Sequence, residues 1–144
     1  MALVGAGCSG SGGSSSSGAP RLTHDQYVTS ASAVCRRYQQ QIVELGTPSS
    51  LDGLASAGEQ ALDLQRKELA ALRALRPPAS EQAQVTEMLN GVEGAIATGE
   101  KLVTAAKAGD VATVASTASQ LGTELQAAND LAAKLGLGDC VISR

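Results

Sequence analysis

The last third of the chain carries apolar residues at alternating spacings of three and four, and this pattern constrains the fold more than any other feature. Such spacing places apolar side chains on one face of an α-helix, and that face must be buried against another element. Three earlier segments carry similar stripes. The first segment has Val28, Ala31, Cys35, Tyr38, Ile42 and Leu45, and the last has Val111, Val114, Ala118, Leu121, Leu125, Ala128, Ala132 and Leu135.

Capping and turn residues divide the chain into four helices. Helices commonly begin at Ser, Thr or Asp and end at glycine or before proline. The clearest helix start is at Thr23, which matches the capping-box pattern together with Gln26 three residues later. The predicted boundaries are Thr23 to Gly46, Ser49 or Ser50 to Arg76, Ser80 to Gly109, and Asp110 to Gly136.

Four amphipathic helices with short connections predict an all-α fold, an antiparallel up-and-down four-helix bundle over residues 23–144. The core must be built from aliphatic and small side chains, because the chain has two tyrosines and no Trp or Phe. Glycine inside a helix costs about 1 kcal/mol relative to alanine. Helix glycines therefore indicate either close helix approach or room for an apolar ligand, and they are Gly58, Gly91, Gly94, Gly99 and Gly122.

The chain has three cysteines, which predicts one pair and one cysteine with a separate fate. Cys35 lies on the apolar stripe of the first helix, and Cys140 follows the fourth helix. In an up-and-down bundle Cys35 would lie roughly 17 Å along the first helix from the end of the fourth. The segment from Gly136 to Cys140 spans about that distance when extended. We predict a Cys35–Cys140 disulfide, the alternative being two buried thiols in a reducing compartment.

A short apolar stretch, a cysteine and a Ser/Gly run open the chain. Residues 9–20, "SGSGGSSSSGAP", contain only Ser, Gly, Ala and Pro. This composition behaves as a flexible coil, so we assign residues 9–22 to a disordered linker. The alternative is an artificial linker.

The stretch "LVGAGC" before this linker resembles the lipobox of bacterial lipoproteins, in which an apolar stretch ends in small residues before an invariant, lipidated cysteine. The resemblance implies that Ala6 and Gly7 fill the small positions and that Cys8 receives the lipid. It also implies that residues 1–8 are the last portion of an export signal. Residues 24–141, with "ASAVC" and "LGLGDC", are similar to small helical domains of exported actinobacterial proteins.

Few residues of the chain are suited to catalysis or metal binding. His24 is the only histidine, whereas di-iron, haem and Ser-His-Asp sites need further histidines or marked partners. We expect His24 to be an exposed polar residue. Glu59, Asp63 and Glu124 fall on predicted solvent-facing sides, which does not suggest an acid–base pair. We predict no catalytic residue, no metal site and no cofactor.

The function predicted from these features is that of a non-enzymatic envelope lipoprotein. Its disulfide-stapled bundle would contact the membrane through a lipid on Cys8, on the outer side of the plasma membrane, or else be secreted. Its partner would be an unidentified protein or small molecule. A net charge of −3 argues against nucleic acid. The alternatives are a carrier or sensor of a small apolar ligand within the bundle, and a cytoplasmic helical protein with a disordered tail.

Overall fold

The structure is a computed structural model that describes residues 20–142. No strand occurs among these residues, and the predicted all-α class is confirmed. The predicted signal remnant 1–8 and most of the predicted linker 9–22 lie outside the described residues. The helices are α1 (His24–Glu44), α2 (Leu51–Ala74), α3 (Gln82–Lys107) and α4 (Val111–Lys134), followed by one 3-10 turn, Gly138–Cys140.

The predicted caps at the starts of α1 and α4 are present. The Thr23 hydroxyl accepts a hydrogen bond from the Gln26 backbone at 3.3 Å, and the Gln26 side chain accepts from the Thr23 backbone at 3.0 Å. The Asp110 carboxylate accepts from the Thr113 backbone at 3.0 Å. Each side chain satisfies a backbone donor that has no partner inside its helix.

Two predicted helix boundaries are wrong. The second helix ends at Ala74 rather than Arg76, because the proline at position 77 disfavours helical backbone just before it. The third helix does not begin at Ser80, which lies in a turn. It begins after Glu81, whose side chain makes no capping hydrogen bond.

The helices pack in chain order, and the bundle is not closed by its first and last helices. α1 packs on α2, α2 on α3, and α3 on α4. Within the described part of the chain, α1 and α4 do not pack directly on each other. Residues 137–142, here called the C-terminal strap, lie between them, and the 3-10 turn of the strap contacts both helices.

The predicted α4 stripe is buried unevenly: three of its eight residues are buried, three are half-buried and two are exposed. Ala128, Ala132 and Leu135, near the strap, are buried as predicted. Val111 at the other end is 64% exposed, and Ala118 is also exposed. The spacing of apolar residues fixes the face of a helix but does not ensure that a neighbour covers its whole length.

Glycines allow α2 and α3 to approach closely. A Cβ atom added to Gly58 would lie 2.6 Å from a Val103 methyl carbon, and one added to Gly99 would lie 2.9 Å from a Leu62 methyl carbon. A Cβ atom added to Gly94 would meet nothing within 4 Å. The close-approach interpretation therefore holds for Gly58 and Gly99.

No described helix is both long enough and apolar enough to span a bilayer.

We expect Gly58→Ala to lower the free energy of unfolding by about 1–2 kcal/mol, because the stiff Val103 side chain must move within a packed interface. The matched variant Gly94→Ala should raise it by about 0.5–1 kcal/mol, since it gains helix propensity without a clash. Urea unfolding followed by circular dichroism measures both. Equal stabilisation by the two variants would contradict the close approach.

Candidate functional site

The C-terminal strap is covalently attached to α1. Cys35 is fully buried and is bonded to Cys140, with 5.0 Å between the two Cα atoms. This supports the predicted pairing. The bond joins residues 105 positions apart, and it ties the strap to the middle of the first helix rather than to its end.

Noncovalent contacts attach the strap on both sides. On the α1 side, the Arg36 guanidinium and the Asp139 carboxylate lie 2.7 Å apart. On the α4 side, the Asn129 side-chain amide accepts a hydrogen bond from the Ile142 backbone at 2.9 Å and donates one back to its carbonyl at 3.1 Å. The strap also inserts Leu137, which is fully buried. The strap therefore fills the space that direct α1–α4 packing would occupy.

A small cavity lies beneath the strap. It encloses about 30 Å³, which is room for about two water molecules. Ligand pockets commonly measure roughly 300–1,000 Å³. Its lining is apolar except for a few polar side chains, and it comprises Cys35, Gln65, Glu68, Leu72, Met88, Val92, Ala95, Ile96, Leu125, Ala128, Asn129, Ala132, Cys140 and Ile142.

Glu68 on α2 is the one acidic residue in this lining. It is half-buried, and among the described residues no side chain or backbone group forms an ion pair or hydrogen bond with its carboxylate. Burial raises the pKa of Glu68 from an ordinary value of 4.5 to about 7, because the charged form loses hydration that nothing replaces. Perturbed carboxylates in cavities are candidates for functional groups.

Sequence reasoning missed Glu68, although a signal was present. Ala61, Gln65, Glu68 and Leu72 follow one another at spacings of four, three and four. This row lies along one side of α2, so two polar residues stand at positions that continue an apolar stripe. Asn129 was missed as well, because its role depends on the path of the strap after the fourth helix.

The raised pKa makes folding stability depend on pH. The proton leaves Glu68 more readily in the unfolded chain than in the folded one. The contribution of Glu68 to the free energy of unfolding is therefore fully present below pH 4.5, where the residue is protonated in both states. This contribution is lost as the pH rises through 7. The shift corresponds to at most about 3 kcal/mol.

Glu68→Gln should remove this pH dependence while keeping the shape of the side chain. We expect the native protein to lose roughly 1–3 kcal/mol of unfolding free energy relative to the variant between pH 5 and pH 8. Urea titrations at several pH values, followed by circular dichroism, measure the difference.

Glu87→Gln is the matched control, because Glu87 is an exposed glutamate on α3. It should change stability by less than about 0.5 kcal/mol at either pH. Parallel stability curves for the native protein and Glu68→Gln would refute a buried, titrating Glu68.

The other acidic residues considered from the sequence lie apart from this cavity. Glu59 pairs with Lys107, and Asp63 pairs with Lys67 at 2.7 Å, in agreement with solvent-facing positions. Glu124 differs from expectation. It is half-buried, and one carboxylate oxygen is enclosed without a partner, while the other accepts from Gln120 at 2.8 Å.

His24 lies at the end of the bundle where α1 begins. Its side chain is 52% exposed, as expected, and its Nδ1 atom lies 2.9 Å from a carboxylate oxygen of Glu81. Nearby, Tyr27 is fully buried with an unpaired hydroxyl, and burial together with the charge of Glu81 raises its pKa to about 12. Ala31, Cys35 and Tyr38 of the predicted α1 stripe are buried, whereas at the start of the helix Tyr27 is buried and Val28 only half-buried.

Within residues 20–142, no three His, Cys, Asp or Glu side chains are grouped so that they could hold a metal ion. Cys8, the predicted lipidation residue, lies outside the described residues. Comparisons of the chain with protein-family models, curated proteins and solved structures found no match.

Proposed function

We propose that this chain is a lipid-anchored, non-enzymatic interaction domain on the outer side of the plasma membrane. The observation that carries the proposal is the disulfide between Cys35 and Cys140. Disulfides form and persist in oxidising environments outside the cytoplasm and are rare inside it. The pairing uses two of the three cysteines and leaves Cys8 available for a lipid.

The described chain begins in contact with the bundle, which limits the reach of such an anchor. Arg21 donates hydrogen bonds to the Pro77 carbonyl at 3.0 Å and to the Gln82 side chain at 2.9 Å. The Leu22 backbone donates to the Arg76 carbonyl at 2.8 Å. Thirteen positions separate Cys8 from Arg21, so the linker can hold the bundle no more than about 45 Å from the lipid.

The uncharged first half of α4 supports a role in protein contact. Residues 111–123 contain no Asp, Glu, Lys or Arg. Val111 is largely exposed there, and Val114 and Leu121 are half-buried. The cores of protein interfaces are depleted in charged residues. By contrast, the cavity of about 30 Å³ gives no support to a carrier of an apolar ligand in the closed bundle.

Mass analysis of the protein made from its natural gene in its own organism tests the proposal. We expect the protein in the detergent-soluble membrane fraction, with acyl chains on an N-terminal Cys8 and with Cys35 and Cys140 oxidised. Cys8→Ser is the matched control and should abolish acylation and membrane retention. An unmodified Cys8 with free thiols at the other two positions would overturn the proposal.

A further inference from the structure

Among the described residues, two large apolar side chains are exposed, and both lie at one end of the bundle. Val43 in the last turn of α1 is 78% exposed, and Val111 at the start of α4 is 64% exposed. Because consecutive helices run antiparallel, the last turn of α1 and the first turn of α4 lie at the same end. We call this end, made of residues 42–54 and 107–114, the distal end.

The chain enters the bundle at the opposite end. Arg21 donates a hydrogen bond to the Pro77 carbonyl, and the Leu22 backbone donates one to the Arg76 carbonyl, both in the connection between α2 and α3. The 21 residues of α1 separate this connection from the distal end by about 30 Å. An anchor on Cys8 would therefore attach to the bundle at the end that is far from the two exposed valines.

Half-buried apolar residues accompany the two valines at the distal end. They come from the end of α1, the loop after it, the start of α2 and the start of α4, and they are Ile42, Leu45, Leu51, Leu54 and Val114. Residues 45–51, which form this loop and the start of α2, contain no Asp, Glu, Lys or Arg. At the opposite end, Leu135 and Leu137 are buried. Apolar exposure is therefore concentrated at the distal end.

The charged residues of the distal end are mostly acidic. Glu44, Asp52 and Asp110 are exposed there and form no ion pair within residues 20–142. Glu59 on α2 pairs with Lys107 on α3, so the charges of these two residues cancel. Three carboxylates are thus left without an opposite charge around the exposed valines.

This excess of negative charge distinguishes between the possible occupants of the distal end. A second copy docked end to end would place the carboxylates of the two copies against each other, and an anionic lipid surface would be repelled in the same way. A basic protein segment with apolar side chains has neither cost. Lys101, the next cation along α3, lies about 9 Å further from this end than Lys107 and does not balance the charge.

We propose that the distal end is the surface through which this domain contacts its partner, and that it binds a basic, amphipathic segment of another protein. Apolar side chains of the partner cover Val43 and Val111, and its Lys or Arg side chains pair with Glu44, Asp52 and Asp110. This inference rests on the proposed interaction role, and it gives that role a location and a partner chemistry.

Peptide binding to the full, oxidised Cys8→Ser chain tests the proposal without a lipid. The probe is a synthetic peptide of about 14 leucine and lysine residues, with the leucines at helical spacing. Its control has glutamate at every lysine position. In calorimetric titrations at low salt, we expect the lysine peptide to bind at least about tenfold more tightly than the glutamate peptide.

Substitutions at the distal end should weaken binding of the lysine peptide. Val43→Ser with Val111→Ser should weaken it about tenfold, because both valines lose apolar contact with the peptide. Glu44→Gln with Asp52→Asn should weaken it about three- to tenfold at low salt and reduce the dependence of the affinity on salt. All four positions are exposed, so the variants should keep the circular dichroism spectrum of the native chain.

Ala83→Ser with Glu87→Gln is the matched control, because both residues are exposed on the first turns of α3, at the opposite end of the bundle. This variant should bind the lysine peptide as tightly as the unsubstituted chain. An equal loss of affinity in the control and in the valine variant would contradict the proposed location.

Three other results would overturn the proposal. The first is equal binding of the lysine and glutamate peptides, and the second is an unchanged affinity in the variant of Val43 and Val111. The third is dimerisation in the ultracentrifuge, or binding to vesicles of anionic phospholipid, that the two valine substitutions abolish. None of these results depends on acylation of Cys8, so failure here is distinguishable from failure of the proposed lipid anchor.

Discussion

The disulfide between Cys35 and Cys140 is the constraint on which the closure of this bundle depends. α1 packs on α2 and on the strap but not directly on α4 within residues 20–142. Besides the bond, the strap is held by buried Leu137, by packing of Val141 on the core, by the Asn129 amide, by a backbone hydrogen bond from Leu137 to Ala132 and by one surface ion pair. In the chain-entropy account, closing a loop of this length contributes up to about 4.7 kcal/mol. This is a large share of the stability of a small domain.

Glu68 on α2 lines the cavity beside the strap and has no partner for its carboxylate among the described residues. Its side chain is half-buried with no opposite charge from this part of the chain beside it, and this partial burial raises its pKa to about 7. A buried, unpaired acid does not stabilise a fold at neutral pH. Glu68 therefore lowers the stability of the fold as the pH rises through 7.

Local sequence signals predicted the elements of the fold well. The capping box at Thr23, the cap at Asp110 and the end of the fourth helix at Gly136 all depend on residues close in sequence, and each is present. The pairing of Cys35 with Cys140 could also be predicted, because helix rise and chain length limit where each cysteine lies.

Features that depend on the path of the strap could not be predicted in this way. Periodicity shows which face of a helix is apolar, but it does not show that Val111 on this face is 64% exposed. Glu68 lines the same cavity as Cys140 and Ile142 of the strap, and Asn129 is important because the strap ends beside it. The interaction function and the lipid on Cys8 remain proposals.

The most direct test of the closing role of the disulfide is the unfolding free energy of the double variant Cys35→Ala with Cys140→Ala. Cys8→Ala is the control, because this cysteine takes no part in the bond. We expect the double variant to lose about 2–5 kcal/mol and the control to lose none. A double variant as stable as the native protein would contradict the account.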